Sequence, residues 1–535
     1  MRLPLLSILM LAGSGLCAQS LFQRVYDCSY GDMRAGDRVG EGSYWAYAFY
    51  DEAFGYHRAV GVVKYGADDA PLWNKVFEAP SAEVGLDVSD LVTTSDGGLV
   101  WVGSRSNGLA DSALVVKVTA VGGIGWSLAL PAFLPPGASS ASTAQLRRVD
   151  EAANGDVIVA GFFSYFDGGL YRRAFVARIG AGGAVQWTRS YALPTAQGAV
   201  NYSYDVQALS GGGLLLLGGN AGNGAWLTRL QDDGTVAWTK GYSTNDGAEA
   251  MAPVAVRPTG TGFDIFLQPD LYSGDIACVM HTNTSGDLLS TTKYRMAVGL
   301  GSMAGVRPLA GGGYLIASAT NLTGEYERSN AHLLVVGADN IPILSASFGV
   351  PDEAEYARVV LAASGGGYLL GGGAAYVDLD AHRGGTAARP YLVRTDAGGN
   401  YVCGDPVEIL VGDTVLTSAS QTLEVQAITG WATSALTSAD WLNAVTVCST
   451  MGLAEEEASS FTLSPNPASD RLTILPADQA AWDHVLFDAM GRAVRSHARA
   501  IGRVELDVRG LTPGRYVLRS SGPSTVRSSA VMVGR

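Results

Sequence analysis

Asp205-Val-Gln-Ala-Leu209-Ser-Gly-Gly-Gly213-Leu-Leu-Leu-Leu217 begins the stretch whose reading decides the fold, and Ala225-Trp-Leu-Thr-Arg-Leu230 and Thr235-Val-Ala-Trp-Thr-Lys-Gly-Tyr242 complete it. The glycines at 211–213 can take positive φ and permit a tight reversal between two strands. Leu214–Leu217 is a continuous apolar run, as expected of a strand buried on both faces, and the glycine-rich segment 218–224 interrupts it. Asp232-Asp-Gly234 supplies the turn between a third and a fourth strand. The stretch therefore reads as a four-stranded antiparallel meander.

The same columns recur along the chain. A Lys or Arg stands nine positions before a Trp at Lys64 and Trp73, Lys117 and Trp126, Arg178 and Trp187, and Arg229 and Trp238. Ser290 and Ser345 take the Trp column in two degenerate copies, and Cys403 stands nine after Arg394 in the last. The period is 51 to 61 residues, longer than that of common propeller repeats, with the excess assigned to loops between second and third strands. First-turn signals occur at Gly42-Ser43, Asp96–Gly98, Asn154–Asp156, Gly211–Gly213, Thr259–Gly262, Gly311–Gly313 and Gly365–Gly367, which implies seven copies. Phe22-Gln-Arg-Val-Tyr26 matches Trp187-Thr-Arg-Ser-Tyr191 position for position, as a fourth strand lacking its first three. The last copy lacks its fourth. Each fragment supplies what the other lacks, and a shared last unit would hide an open sheet edge. The units Gly311-Gly-Gly-Tyr-Leu-Ile316 and Gly365-Gly-Gly-Tyr-Leu-Leu-Gly371 resemble bacterial β-propeller repeats. That resemblance implies an all-β chain with a seven-bladed β-propeller over residues 19–403.

The composition agrees. With 69 glycines in 535 residues and 16% charged residues, the chain suits many short strands joined by tight turns. A net charge of −14 argues against nucleic acid or an anionic membrane as partner. Residues 1–18 have one early Arg, an apolar run and a small-residue end, the layout of a secretory signal peptide cleaved after Ala18; Leu16 before Cys17 disfavours a lipoprotein signal. No later apolar run is long enough for a transmembrane segment. Cys28, Cys278, Cys403 and Cys448 remain after cleavage and allow three pairings. Cys403 with Cys448 is the favoured disulfide, since it would close a loop where the repeats stop. Residues 404–453 read as a β-rich connecting segment and 454–460 as a polar linker.

The tail carries a second resemblance. Phe461-Thr-Leu-Ser-Pro-Asn-Pro467, then Val485-Leu-Phe-Asp-Ala-Met-Gly-Arg492, then Leu506-Asp-Val-Arg-Gly-Leu-Thr-Pro-Gly-Arg-Tyr516 are similar to the three landmarks of the C-terminal sorting domain of type IX secretion cargo. The resemblance implies a small β-sandwich over 461–535, shaped by Pro465, Asn466, Pro467, Gly491, Arg492, Gly514 and Tyr516. It also implies the type IX machinery and its sortase as partners, with delivery across the outer membrane to the cell surface or beyond.

Catalytic chemistry is sought without result. Thr94-Ser-Asp-Gly-Gly-Leu-Val-Trp101 resembles the Asp-box of sialidase-like glycosidases, but it occurs once and at the first turn of its repeat. The turn-plus-Trp segment 231–238 is similar to quinoprotein dehydrogenases, where a structural role for Trp suffices. No nucleophile elbow, zinc motif or phosphate loop occurs, so no catalytic, cofactor or metal residue is assigned. The expectation is a binding, adhesion or scaffold module for a glycan or protein ligand, with a sialidase-like hydrolase or a quinoprotein-like oxidoreductase as the alternative. Acids, Arg and Tyr gather in the variable loops between second and third strands, which makes Tyr171, Arg172, Tyr326, His382 and Arg383 the candidate ligand rim.

Overall fold

The computed structural model describes residues 22–534 apart from 27–29, 52–56, 82–83, 109, 135–137, 194–199, 221–223, 245–250, 270–273, 297–299, 322–328, 350–352, 377–387, 401–403, 407–408, 413–415, 421–423, 431, 441–443, 450–460, 466–467, 477–480, 488–492 and 522–525. The described elements are all strands, and the chain divides into two compact units, Met1–Gly452 and Leu453–Arg535.

In the larger unit a four-stranded antiparallel meander occurs seven times, over residues 30–78, 85–130, 140–192, 201–244, 252–296, 300–348 and 353–394, the last completed by Phe22–Tyr26. Six of the meanders are continuous in sequence. The seventh takes its fourth strand from the other end of the chain, with Phe22 opposite Arg394 and Val25 opposite Tyr391. The meanders do not merge into one sheet; between the second and third the ladders touch at one parallel bridge, Thr143 with Asp111.

The nine-residue spacing is a hairpin register. Lys64 lies opposite Trp73, Lys117 opposite Trp126, Arg178 opposite Trp187 and Arg229 opposite Trp238. Each Trp then reaches the next meander: Trp73 Nε1 donates to Ala120 O at 3.1 Å, Trp126 to Ala181 O at 2.9 Å and Trp187 to Asp232 O at 2.9 Å. The indole of Trp187 covers Gly234, whose φ of 81° and lack of Cβ leave room for the ring. One degenerate copy needs correction. Leu344, not Ser345, faces the third strand at this position, opposite Val335, and Ser345 instead meets His332 Nε2 at 2.9 Å. In the seventh meander Phe22 stands opposite Arg394, as its match to Trp187 implies, and Cys403 lies outside the described residues.

Seven apolar cores lie at the junctions between consecutive meanders. Trp101 and Phe77 join the first and second, Leu216 and Val176 the third and fourth, and Leu369 and Trp45 bring the seventh back to the first. The order of contacts is thus cyclic.

Residues 404–449 are more than a connection. They make seven short strands that retrace the meanders in reverse: Gly404–Pro406 pairs with the sixth, Ile409–Gly412 with the fifth, Leu416–Ser420 with the fourth and Glu424–Ala427 with the third. Ala432–Thr433 and Thr437–Asp440 then pair with the second and first, and Ala444–Ser449 pairs with Phe22–Tyr26. Every one adds antiparallel to a fourth strand, so each fourth strand is covered and the outer edge of each meander becomes a strand of only two to six residues, a poor template for other chains.

The smaller unit has a three-stranded sheet, containing Phe461–Ser464, Arg471–Pro476 and Val504–Asp507, and a four-stranded sheet containing Ala481–Phe487, Ala493–Ile501, Gly514–Ser521 and Val526–Val533. Burial alternates along 504–508 and 516–520, so one face of each strand enters a core of Leu472, Ile474, Trp482, Leu486, Leu518 and Val531.

Candidate functional site

In all seven meanders the ladder between first and second strands shifts register at a corresponding place, leaving one residue of the first strand unpaired there: Arg34, Ser89, Arg147, Tyr204, Val254, Ala304 and Arg358; the third meander has a second shift near the start of its first strand. A β-bulge of this kind bends the strand and re-aims a side chain. All seven bulged residues line a single cavity of about 380 Å³, to which the first strand of every meander contributes. Close backbone approach at the bulge explains three glycines of the second strands. A Cβ on Gly103, Gly161 or Gly372 would collide with the carbonyl of Asp87, Gln145 or Tyr356 across the pair.

Six arginines line the cavity. Four of them share three carboxylates. Arg34 Nε binds Asp32 at 2.6 Å and its Nη1 lies 3.3 Å from Asp87; Arg358 binds Asp32 at 2.7 Å; Arg257 binds Asp205 at 2.5 Å, with Arg148 3.9 Å from the same group. The other two, Arg147 and Arg307, form no ion pair among the described residues. Arg147 lies over the rings of Phe162, Tyr202 and Tyr204 at 5.0, 5.2 and 5.7 Å, and Arg307 donates one hydrogen bond to Gly36 O at 3.1 Å. Burial pushes the Arg147 guanidinium below its ordinary value, and the neighbouring charges of Arg148 and Arg172 add to that effect. Burial also raises the carboxyls of Asp87 and Asp90 despite nearby arginines, and takes Asp150 up to about 6.

The first-strand acids also tie meander to meander. Asp37 accepts the Thr93 amide at 2.8 Å, Asp90 that of Val149 at 3.2 Å, Asp150 that of Ala208 at 2.7 Å and Asp205 that of Val256 at 2.9 Å. The cavity lining and the junctions between meanders are thus built from the same strands.

Of the expected rim residues, Tyr171 and Arg172 begin the third strand of the third meander, Leu170–Ile179. Tyr171 stacks on Tyr165 with centroids 5.3 Å apart, and Arg172 lies over Phe162 and Tyr202 while donating to Ser164 Oγ and to the Tyr202 hydroxyl. Arg172 and the cavity residue Arg147 therefore hold the same two rings. Tyr326, His382 and Arg383 lie outside the described residues. Cys403 does also, while Cys448 lies opposite Gln23 in the backbone ladder and Cys278 is a buried thiol.

Asp96, the acid of the Asp-box resemblance, staples its own turn. Thr94 Oγ1, Lys117 Nζ and the Gly98 amide donate to Asp96 Oδ1 at 2.7, 2.7 and 2.9 Å. Partial desolvation pushes this carboxyl up, but those three hydrogen bonds outweigh it and bring it down to about 2. A carboxyl lowered on folding stabilises above its unfolded pKa of ~3.9 and loses that contribution as pH falls toward its folded value. Asp96→Asn should therefore lower the melting temperature at pH 7 by a few degrees and make little difference near pH 2. Thermal melts across that range test this, and an equal difference at both ends would show that the carboxylate charge is not what holds the turn.

In the tail, Pro465 follows the strand Phe461–Ser464, Gly514 begins the strand Gly514–Ser521, and the Tyr516 hydroxyl donates to Thr512 O at 2.7 Å. Asn466, Pro467, Gly491 and Arg492 lie outside the described residues. Residues 462–533 match the family model of the secretion system C-terminal sorting domain. The protein is exported by type IX secretion to the cell surface or extracellular space. The sorting tail implies interaction with the type IX machinery, and among the described residues no helix is long and apolar enough to cross a membrane.

No curated protein matches the chain. Among solved structures, prolyl oligopeptidase B from Galerina marginata shares 10% identity at a TM-score of 0.36, with 85% of this chain and 57% of that one covered. This chain thus spans little more than half the length of that enzyme. The polysaccharide lyase Uly1 shares 8% identity at a TM-score of 0.35, covering 71% and 100%. PorZ, a bacterial surface component of the type IX secretion system of Porphyromonas gingivalis, shares 11% at a TM-score of 0.14, covering 96% and 100%.

Four features of the site escaped sequence reasoning: the six arginines, the bulges, the acids at the junctions and the role of 404–449. A signal for the bulges does exist. The unpaired residue stands nine positions before the last residue of the first turn in six copies, as in 147 against 156, 204 against 213 and 358 against 367.

Proposed function

We propose that the seven meanders form a seven-bladed β-propeller that acts as a binding or adhesion module, displayed outside the cell by type IX secretion and passed by its tail to the sortase of that pathway. The observation that carries this reading is the convergence of one bulged residue from every meander on a single cavity. The cyclic order of the seven cores and the pairing of Phe22–Tyr26 with Ala388–Arg394 support the ring. The engagement of Asp96 by Lys117 supports a structural part for the Asp-box segment, against a glycosidase. Tyr171 and Arg172, with Tyr326, His382 and Arg383, belong to the recognition edge. A Cys403–Cys448 disulfide fits the same reading, because Gly404 pairs with the sixth meander and Cys448 lies in the sheet of the seventh, so the bond would join the two ends of the encircling segment.

The test is a glycan and protein array probed with the purified chain, run beside a panel of glycosidase substrates. Saturable binding without turnover is the expected result. Turnover of a substrate, abolished by Asp96→Asn in a variant that still folds, would replace the binding module with an enzyme.

A further inference from the structure

We propose that the cavity is an oxyanion site that takes a small organic ligand bearing a carboxylate or sulfate group, an inference that rests on the binding-module reading and names its ligand class. The charge balance of the lining leads to it. Four cavity arginines are ion-paired with Asp32, Asp87 and Asp205, whereas Arg147 and Arg307 are not ion-paired among the described residues. Both residues are only partly buried and line the cavity, so their unpaired donors open into it. Stacking on Phe162, Tyr202 and Tyr204 fixes the plane of Arg147, and aromatic faces leave its N–H donors to the cavity. Arg307 uses one donor on Gly36 O. Planar guanidinium groups with free donors match the geometry of a carboxylate or sulfate oxygen pair.

The remaining lining says what the rest of the ligand is like. Bulging places Val254 and Ala304 on the wall beside Val306 and Val360, so part of the cavity is apolar. Tyr204 and Ser89 supply hydroxyls. An inorganic ion would leave the apolar wall wet and the volume of about 380 Å³ largely unfilled. That volume is at the lower end of the range for organic ligand sites, a size suited to an acidic monosaccharide. Asp90 lines the same space, where it accepts the Val149 amide and lies near enough to Arg148 and Arg307 for both to act on its carboxyl. As a further acid in the lining it limits the positive charge open to a ligand and favours one with a single anionic group.

Titration calorimetry of the full chain with D-glucuronate, glucose 6-sulfate, inorganic sulfate and glucose tests this. One or both of the acidic sugars should bind with an affinity that weakens as salt is raised, and glucose should not bind. Which acidic sugar binds separates carboxylate from sulfate. R147M and R307M should each weaken binding at least tenfold, of the size expected when a charge-assisted hydrogen bond is lost. Because Arg147 is packed against three rings, its variant could misfold, so the thermal shift of the unaltered chain provides a second measurement: the binding sugar should raise the melting temperature and glucose should not. Absence of binding and of thermal shift with both acidic sugars would overturn the proposal, as would undiminished binding in folded R147M and R307M. Inorganic sulfate binding alone would also overturn it. If the array finds a neutral ligand while the acidic sugars fail, the module stands and the oxyanion site falls. If an acidic sugar binds in an arginine-dependent way and is turned over, the oxyanion site stands and the non-catalytic reading falls.

Discussion

A chain ending at Asn400 should aggregate during purification and lose its cooperative thermal transition, whereas one ending at Gly452 should melt as a soluble species. The difference between the two is the segment that supplies a fifth strand to every meander. Its removal takes away between two and five residue pairs from each fourth strand. At about 0.5–1.5 kcal/mol net for each hydrogen bond lost, the sum over seven edges is on the order of 10 kcal/mol or more, comparable with the whole stability of an ordinary domain. The exposed product is worse than the lost energy suggests. Seven fourth strands would each present unpaired N–H and C=O groups, a template for pairing with other copies. Light scattering and circular dichroism on the two chains check this, and a monodisperse shorter chain with an unchanged melting temperature would mean the fifth strands are ornament.

Ending the chain at Ser460 should have an equally large effect of another kind, the loss of surface delivery with no loss of fold. The tail has its own core around Trp482 and Leu518, and Met1–Gly452 is a compact unit by itself, so the truncation removes one unit and keeps the cores of the other. The truncated protein should accumulate in the periplasm with the melting temperature of its larger unit unaltered. The converse experiment joins residues 461–535 to a periplasmic reporter and should carry it outward. Immunolabelling of intact cells reads both, and normal surface labelling of the truncated protein would show that export is directed from elsewhere in the chain.

How far residues announce such a structure depends on whether a feature repeats locally. Gly211–Gly213 and its counterparts were legible because a tight turn restricts residue type at a fixed place. The Lys/Arg-to-Trp spacing was legible because a hairpin converts a cross-strand pair, such as Arg178 with Trp187, into a constant separation. Even so, Ser345 was taken for Leu344, since a one-residue slip in a hairpin is invisible where the Trp itself is missing. The strands of 404–449 escaped because they are two to six residues long and pair with partners as distant as Glu78 and Phe22, so no period marks them. The cavity was hidden for a related reason. Arg34, Arg147 and Arg358 lie far from one another in sequence, and only the bulge, a property of two strands together, turns them to one place.

The encircling segment also sets the order in which the molecule can be completed. Synthesis delivers the first meander early, yet its outer strand waits for Thr437–Asp440, and Phe22 waits for Arg394, 372 residues later (394 − 22). Contacts so distant along the chain are slow to form, because the loop must be closed before pairing rewards it. Until residue 449 has emerged, partly assembled chains carry open edges, the species most prone to misassembly. A newly exported chain of this design has a long vulnerable interval between its first folded hairpin and its finished surface, and holdase chaperones of the periplasm would act within it.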